Sequence, residues 1–168
     1  MALTLRAVEA TMADLSLYQK RREELSRRYL QAEAPASQPV YTGGVDHLAL
    51  ISSDLEATIH FYTDVLGMRL TRIVQNRDEP TSTHIFLDMG GGNLLAFFDF
   101  PEKGPARTVR GVGSMHHVAL KAQPERLRKI ISTLNERNIS YSLHGSPESG
   151  SLYVHDPDDI LVEVTARD

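Results

Sequence analysis

The hexapeptide VDHLAL at residues 45–50 returns as MHHVAL at residues 115–120, offset by 70 residues, and this repetition decides the architecture. Each copy alternates in the period of a half-buried strand, so Val45, His47 and Ala49 share one face, as do Met115, His117 and Ala119. A helical pattern follows each copy. Over Asp54–Leu66, Leu55, Ile59, Tyr62 and Leu66 form one stripe that ends at Gly67; over Pro124–Arg137 the stripe is Leu127, Ile130, Ile131 and Leu134, with Pro124 suited to a first turn. Three extended runs come after each helix: Arg69–Val74, His84–Met89 and Leu94–Phe100, then Ser140–His144, Leu152–His155 and Ile160–Thr165. Turn residues separate them, including Gly90-Gly91-Gly92-Asn93 and Asp156-Pro157-Asp158-Asp159. The expected fold is therefore α+β, with two βαβββ modules at residues 45–100 and 114–166 inside a domain of residues 41–168. A single small sheet cannot bury both its faces, so the halves are expected to pair around a shared concavity.

Residues 1–40 have a different character. Asp14–Glu33 reads as a helix with Leu15, Tyr18, Leu25, Tyr29 and Leu30 among charged positions, and Pro35 to Pro39 reads as a linker. This arm is expected to pack or to contact a second copy.

The chain has 168 residues, 18 Lys and Arg against 22 Asp and Glu, and no cysteine. Thiolate zinc sites, disulfides and a cysteine nucleophile are excluded. The interspersed charge and formal net charge of −4 leave no basic footprint for nucleic acid. No apolar run approaches the ~20 residues of a membrane span, and no leader is read at residues 1–10, so the expected location is cytoplasmic. Gly90–Gly92 joins two strands rather than a strand and a helix, which makes it a hairpin turn and not a phosphate loop.

Chemistry concentrates on a few side chains. His47 and His117 occupy equivalent positions, each followed on its face by a small Ala. Glu163 sits inside the apolar run ILVEVT, where a carboxylate needs a cation or strong donors. Two imidazoles and one carboxylate leave about three open positions on a six-coordinate ion and suit Fe(II), with Mn(II) or Zn(II) as alternatives. Aligning LLAF with LVEV puts Ala96 opposite Glu163 in the repeat, so the first module offers no carboxylate there. Tyr153 and His144 are candidates to orient or protonate a bound oxyanion. His84 is a weaker inward-facing candidate. His116, of opposite parity, together with His60, His155 and Asp99, is expected at the surface.

These segments resemble the vicinal oxygen chelate superfamily of glyoxalases, fosfomycin-modifying enzymes, bleomycin-binding proteins and extradiol dioxygenases. The resemblance rests on VDHLAL, ATIHFYTDVLGMRL, HHVAL and DPDDILVEV over residues 45–166. It implies paired modules curling around a metal-lined cleft, with His47, His117 and Glu163 as the metal ligands. The second half, from His144 through Tyr153 to Glu163, is similar to the extradiol dioxygenase signature. That similarity implies substrate-contacting roles for His144 and Tyr153, a catechol-like substrate and a homodimer. Two departures stand out: Asp159 replaces the signature's Gly or Pro, and residues 101–115 contain no histidine for the usual proton relay. The alternatives are a cleft that sequesters an aromatic ligand, lined by FFDF at residues 97–100, and a glyoxalase- or fosfomycin-transferase-like lyase or transferase.

Overall fold

The computed structural model describes residues 17, 19–29, 42–100 and 109–166. The chain divides between Gly43 and Gly44 into two units. In the first, residues 19–29 are helical (α1), with Gln19 donating to Glu23 at 3.0 Å and Arg21 to Glu24 at 3.2 Å. The expected helix ends and the Pro35–Pro39 linker lie outside the described residues.

The described residues of the second unit form eight strands. The first module is β1 (His47–Ile51), α2 (Leu55–His60) with a π-helical turn (Phe61–Val65), β2 (Arg69–Gln75), β3 (Thr83–Gly90) and β4 (Asn93–Phe98). The second is β5 (Val118–Ala122), α3 (Pro124–Glu136), β6 (Tyr141–Gly145), β7 (Gly150–His155) and β8 (Leu161–Ala166). The strand–helix–strand–strand–strand order appears twice, as the repeat predicts. The strands form two four-stranded sheets, ordered β1-β4-β3-β2 and β5-β8-β7-β6. In each, the first strand runs parallel to the last and the other pairings are antiparallel. The register pairs Ala49 with Ala96 and Ala119 with Glu163, which makes Ala96 and Glu163 structural equivalents.

Local chemistry explains the element ends. Asp54 caps α2, its Oδ1 accepting from Glu56 N and Ala57 N at 3.0 and 3.1 Å. Gly67 ends this helical segment at φ +69°, in the left-handed region where a Cβ is costly. Pro124 occupies the first turn of α3. The expected single α-helix over residues 54–66 differs in its second half. There the Leu66 amide donates to the Phe61 carbonyl at 3.2 Å, one residue further back than an α-helix allows. This wider turn places Phe61, Tyr62, Val65 and Leu66 all in the core.

One core joins the two modules. It contains Tyr62, Leu95 and Phe97 from the first and Leu127, Leu152 and Val162 from the second, all fully buried. Tyr62 Oη donates to Asp156 Oδ2 at 3.0 Å across the boundary, and Arg126 donates to the Gly67 carbonyl at 2.8 Å. At the surface, Ser53 N donates to Asp158 Oδ2 at 3.0 Å. The core thus uses the helix-facing sides of both sheets. The opposite sides, which carry His47 on one sheet and Glu163 on the other, point away from it. Within one chain the modules pack through the helix-facing sides of their sheets, so the faces that carry His47 and Glu163 lie on the sides away from this core. Among the described residues, no helix is long and apolar enough to cross a membrane.

Candidate functional site

The second module gathers four of the five nominated site residues. Strand register sets Ala119, Glu163, Tyr153 and Ser142 in a row across the sheet, with Lys121, Thr165, Ser151 and His144 in the next. His117 lies one residue ahead of β5, rather than inside the first strand as its alternation suggests. Its Nε2 is 3.1 Å from Glu163 Oε2. Glu163 is 7% exposed, so its carboxylate sits among the apolar β8 residues and meets an imidazole there. The Tyr153 ring stands edge-on to His117 at 6.3 Å and to His144 at 5.4 Å between centroids. One sheet face therefore carries a continuous His117, Glu163, Tyr153 and His144 cluster.

The fifth nominated residue, His47, stands elsewhere. On the first module's outward face, the corresponding row is Ala49, Ala96, Phe86 and Arg72, and the next is Ile51, Phe98, His84 and Val74. His47 packs edge-on to Phe86 at 5.8 Å, and Arg72 Cζ lies 3.9 Å from the Phe86 ring centre. His84 stacks on Phe98 at 3.6 Å and 17°, and stands 6.4 Å from His47. Its Nε2 is buried without a hydrogen-bond partner among the described residues. Burial, reinforced by the nearby His47 and Arg72, lowers the His84 pKa and favours the neutral ring. Of the FFDF stretch, Phe98 joins this face, while Phe97 is fully buried in the core. Among the described residues, no three His, Asp or Glu side chains gather into one metal-holding group.

The donor chemistry still fits a divalent ion at the second module. Two cis donors about 2.1 Å from an octahedral ion lie about 3 Å apart, close to the His117–Glu163 separation. An imidazole nitrogen and a carboxylate oxygen suit Fe(II), Mn(II) and Zn(II) alike.

The remaining candidates fall largely where alternation places them. His155 is exposed at a strand end, and His60 is exposed beside Asp64 at 3.1 Å. Asp99 is half-buried and does structural work, its Oδ1 accepting from Thr83 N at 2.6 Å. His116 is exposed, as expected, but it also engages His117, with 2.7 Å between the two Nδ1 atoms. Asp46 similarly engages His47. Strand alternation predicts neither contact, and the one feature the two share in sequence is that each residue immediately precedes the repeated histidine. Asp159 adopts φ +67° in the turn before β8, and the preference for glycine there follows from that left-handed backbone. A separate cavity of about 360 Å³ between the modules is lined by residues including Arg69, Asp88, Lys121 and Arg126, and by none of the nominated site residues.

Comparison with known proteins places this geometry in a wider set. A family model described as the Glyoxalase/Bleomycin resistance protein/Dioxygenase superfamily matches residues 44–164. A Bacillus subtilis (strain 168) relative named "Putative ring-cleaving dioxygenase MhqA" is 28% identical over 103 residues, covering 59% of this chain and 32% of its own length. The chain thus spans about a third of that relative. A glyoxylase/bleomycin resistance protein/dioxygenase domain from Frankia sp. EAN1pec superposes with a TM-score of 0.65 at 17% identity, covering 76% of this chain and 99% of that one. A mutant of the fosfomycin resistance protein FosX from Listeria monocytogenes, complexed with Mn(II) and dihydroxypropylphosphonic acid, gives 0.58 at 18% identity, covering 76% and 94%. At these identities the two structures establish the fold.

Proposed function

The chain belongs to the glyoxalase/bleomycin resistance protein/dioxygenase superfamily, and from that premise we propose that it is a divalent-metal enzyme acting on a catechol or similar small aromatic diol, in the manner of a ring-cleaving dioxygenase. The observation that carries this reading is the joining of His117, Glu163, Tyr153 and His144 on one sheet face. The ring-cleaving name of the Bacillus relative supports the reaction class, and the Mn(II) in the FosX structure supports a divalent ion.

His117 Nε2 and Glu163 Oε2 hold the ion, Fe(II) by preference. The third ligand comes from a second copy of the chain, as the partner's His47. Each ligand-bearing face points away from the shared core, and β1 and β5 are both edge strands, so a homodimer can bring the first module of one copy against the second module of the other. A bound divalent metal would supply Lewis acidity for the vicinal oxygens of the diol. The chain's own groups do the rest. Tyr153 Oη donates to the diol oxyanion and fixes the ring's direction. His144, edge-on to that phenol and outside the His116–His117–Glu163 chain, serves as proton acceptor in place of the histidine that residues 101–115 lack.

The test is the metal content of untagged protein prepared anaerobically, beside Glu163→Ala, followed by a catechol panel in air. Near-stoichiometric iron or manganese in the wild type, lost in the variant, together with a coloured ring-cleavage product, is the expected result. Wild-type protein that rejects Fe(II), Mn(II) and Zn(II) yet still binds catechols would overturn it and shift attention to the aromatic face of Phe86, Phe98 and His84.

A further inference from the structure

The two repeated histidines share a feature that the ligand assignment does not use. His47 Nδ1 lies 2.6 Å from Asp46 Oδ1, and His117 Nδ1 lies 2.7 Å from His116 Nδ1. Asp46 and His116 are themselves repeat equivalents, 70 residues apart. In both modules, then, the residue just before the histidine holds its Nδ1 and leaves Nε2 as the nitrogen free to meet a metal. One chance contact between neighbours would mean little; the same contact at both copies, made by two different residue types, does not.

The chemistry of the two contacts differs. A carboxylate only accepts, so His47 carries its proton on Nδ1, donates it to Asp46, and keeps a lone pair at Nε2. An imidazole either donates or accepts. His117 Nε2 faces the Glu163 carboxylate at 3.1 Å, a contact that favours the proton on Nε2. His117 Nδ1 is then an acceptor, and His116 donates from its Nδ1. Metal binding needs the reverse: the lone pair at Nε2, the proton on Nδ1, and His116 accepting at Nδ1 with its own proton moved to Nε2. Each ring holds one proton before and after, so no proton is gained or lost.

We infer that Asp46 and His116 are positioning residues for the metal ligands, Asp46 a fixed lock on the His47 tautomer and His116 a reversible one, able to donate to or accept from His117 Nδ1. The inference rests on the proposed metal site, but its first test does not. Nitrogen-15 NMR of the metal-free protein should show His47 protonated at Nδ1 and His117 at Nε2. Asp46→Ala should turn His47 into a tautomer mixture, and Asp46→Asn, which keeps an acceptor oxygen, should restore the single form. Unchanged His47 signals in Asp46→Ala, or His117 already protonated at Nδ1, would overturn the inference. In Mn(II) titrations by calorimetry, Asp46→Ala and His116→Ala should each bind about 10–100-fold more weakly, with Asp46→Asn recovering most of the loss. Equal affinity in all variants would also overturn it. Failure of wild-type protein to bind Mn(II) would instead count against the proposed function, with the tautomer signals still deciding the assignment of Asp46 and His116.

Discussion

The two modules share a topology and a register, yet their outward faces carry different chemistry. At equivalent positions the first has Ala96, Phe86 and His84 where the second has Glu163, Tyr153 and Ser151. The histidine at the head of each first strand is present in both. The inner faces do the same job twice, with aliphatic and aromatic side chains meeting in one core. Duplication has therefore kept what builds the fold and divided what does the chemistry. One face became an aromatic wall with a cation, the other a polar face with a carboxylate and a phenol.

The strongest way to break this contrast is to erase it. Ala96 is fully buried, so Ala96→Glu forces a carboxylate beneath Phe86 with no site built for it. The expected loss is about 3 kcal/mol, a melting-temperature drop of about 6–12 °C for a chain of this size, read by calorimetry in metal-free buffer. A smaller drop than in a surface Ala→Glu control would mean that the first face already tolerates a carboxylate, and the contrast would fall.

Next in size is the seam between the modules. Tyr62→Phe removes the hydroxyl that donates to Asp156 and strands a buried acceptor, at about 1–3 kcal/mol. An unchanged unfolding midpoint in urea would show that the seam does not depend on this bond. Asp156 adds a pH signature. Burial raises its pKa above the ordinary carboxylate value, outweighing hydrogen bonds from the Ile160 backbone, Tyr62 and the Asp158 backbone that lower it. A raised folded pKa means that the folded state binds the proton more tightly than the unfolded chain. This group therefore favours folding at low pH, and the contribution fades as pH rises through the raised value. Chemical denaturation across the acid range should show that slope in the wild type and a flatter one in Asp156→Asn. The same slope in both would assign the pH dependence to other groups.

The mildest prediction concerns the turn after α3, whose counterpart after α2 is Gly67. Asn138 holds φ +55° there. Asn138→Gly should raise stability by about 0.5 kcal/mol, because the left-handed backbone costs glycine nothing. A loss of that size would show that the asparagine side chain contributes more than its backbone costs.

Much of this was legible from spacing alone. The 70-residue offset and strand alternation set His117 on the face of Ala119 and paired Ala96 with Glu163, whereas Tyr153 and His144 became candidates chiefly through the resemblance to the extradiol signature. Three things were not. The π-turn at Phe61 changes one hydrogen-bond step, and the apolar stripe of residues 55–66 reads much the same either way. The direction in which the modules pack was hidden because alternation separates two faces without saying which is covered, and the outward faces also carry Phe86, Phe98 and Ile51. The His116 contact was hidden because neighbours in a strand point to opposite sides; His116 and His117 lie ahead of β5, in irregular backbone where their rings can meet. The dipeptide ending in His at both repeats was visible, but alternation gave it no meaning.

The outward orientation of the two ligand faces has a thermodynamic consequence. If the third ligand arrives on another copy, metal loading and association become a single linked equilibrium, in which each favours the other by the same factor. Such an enzyme would lose specific activity on simple dilution, and added metal would shift the concentration at which that loss sets in.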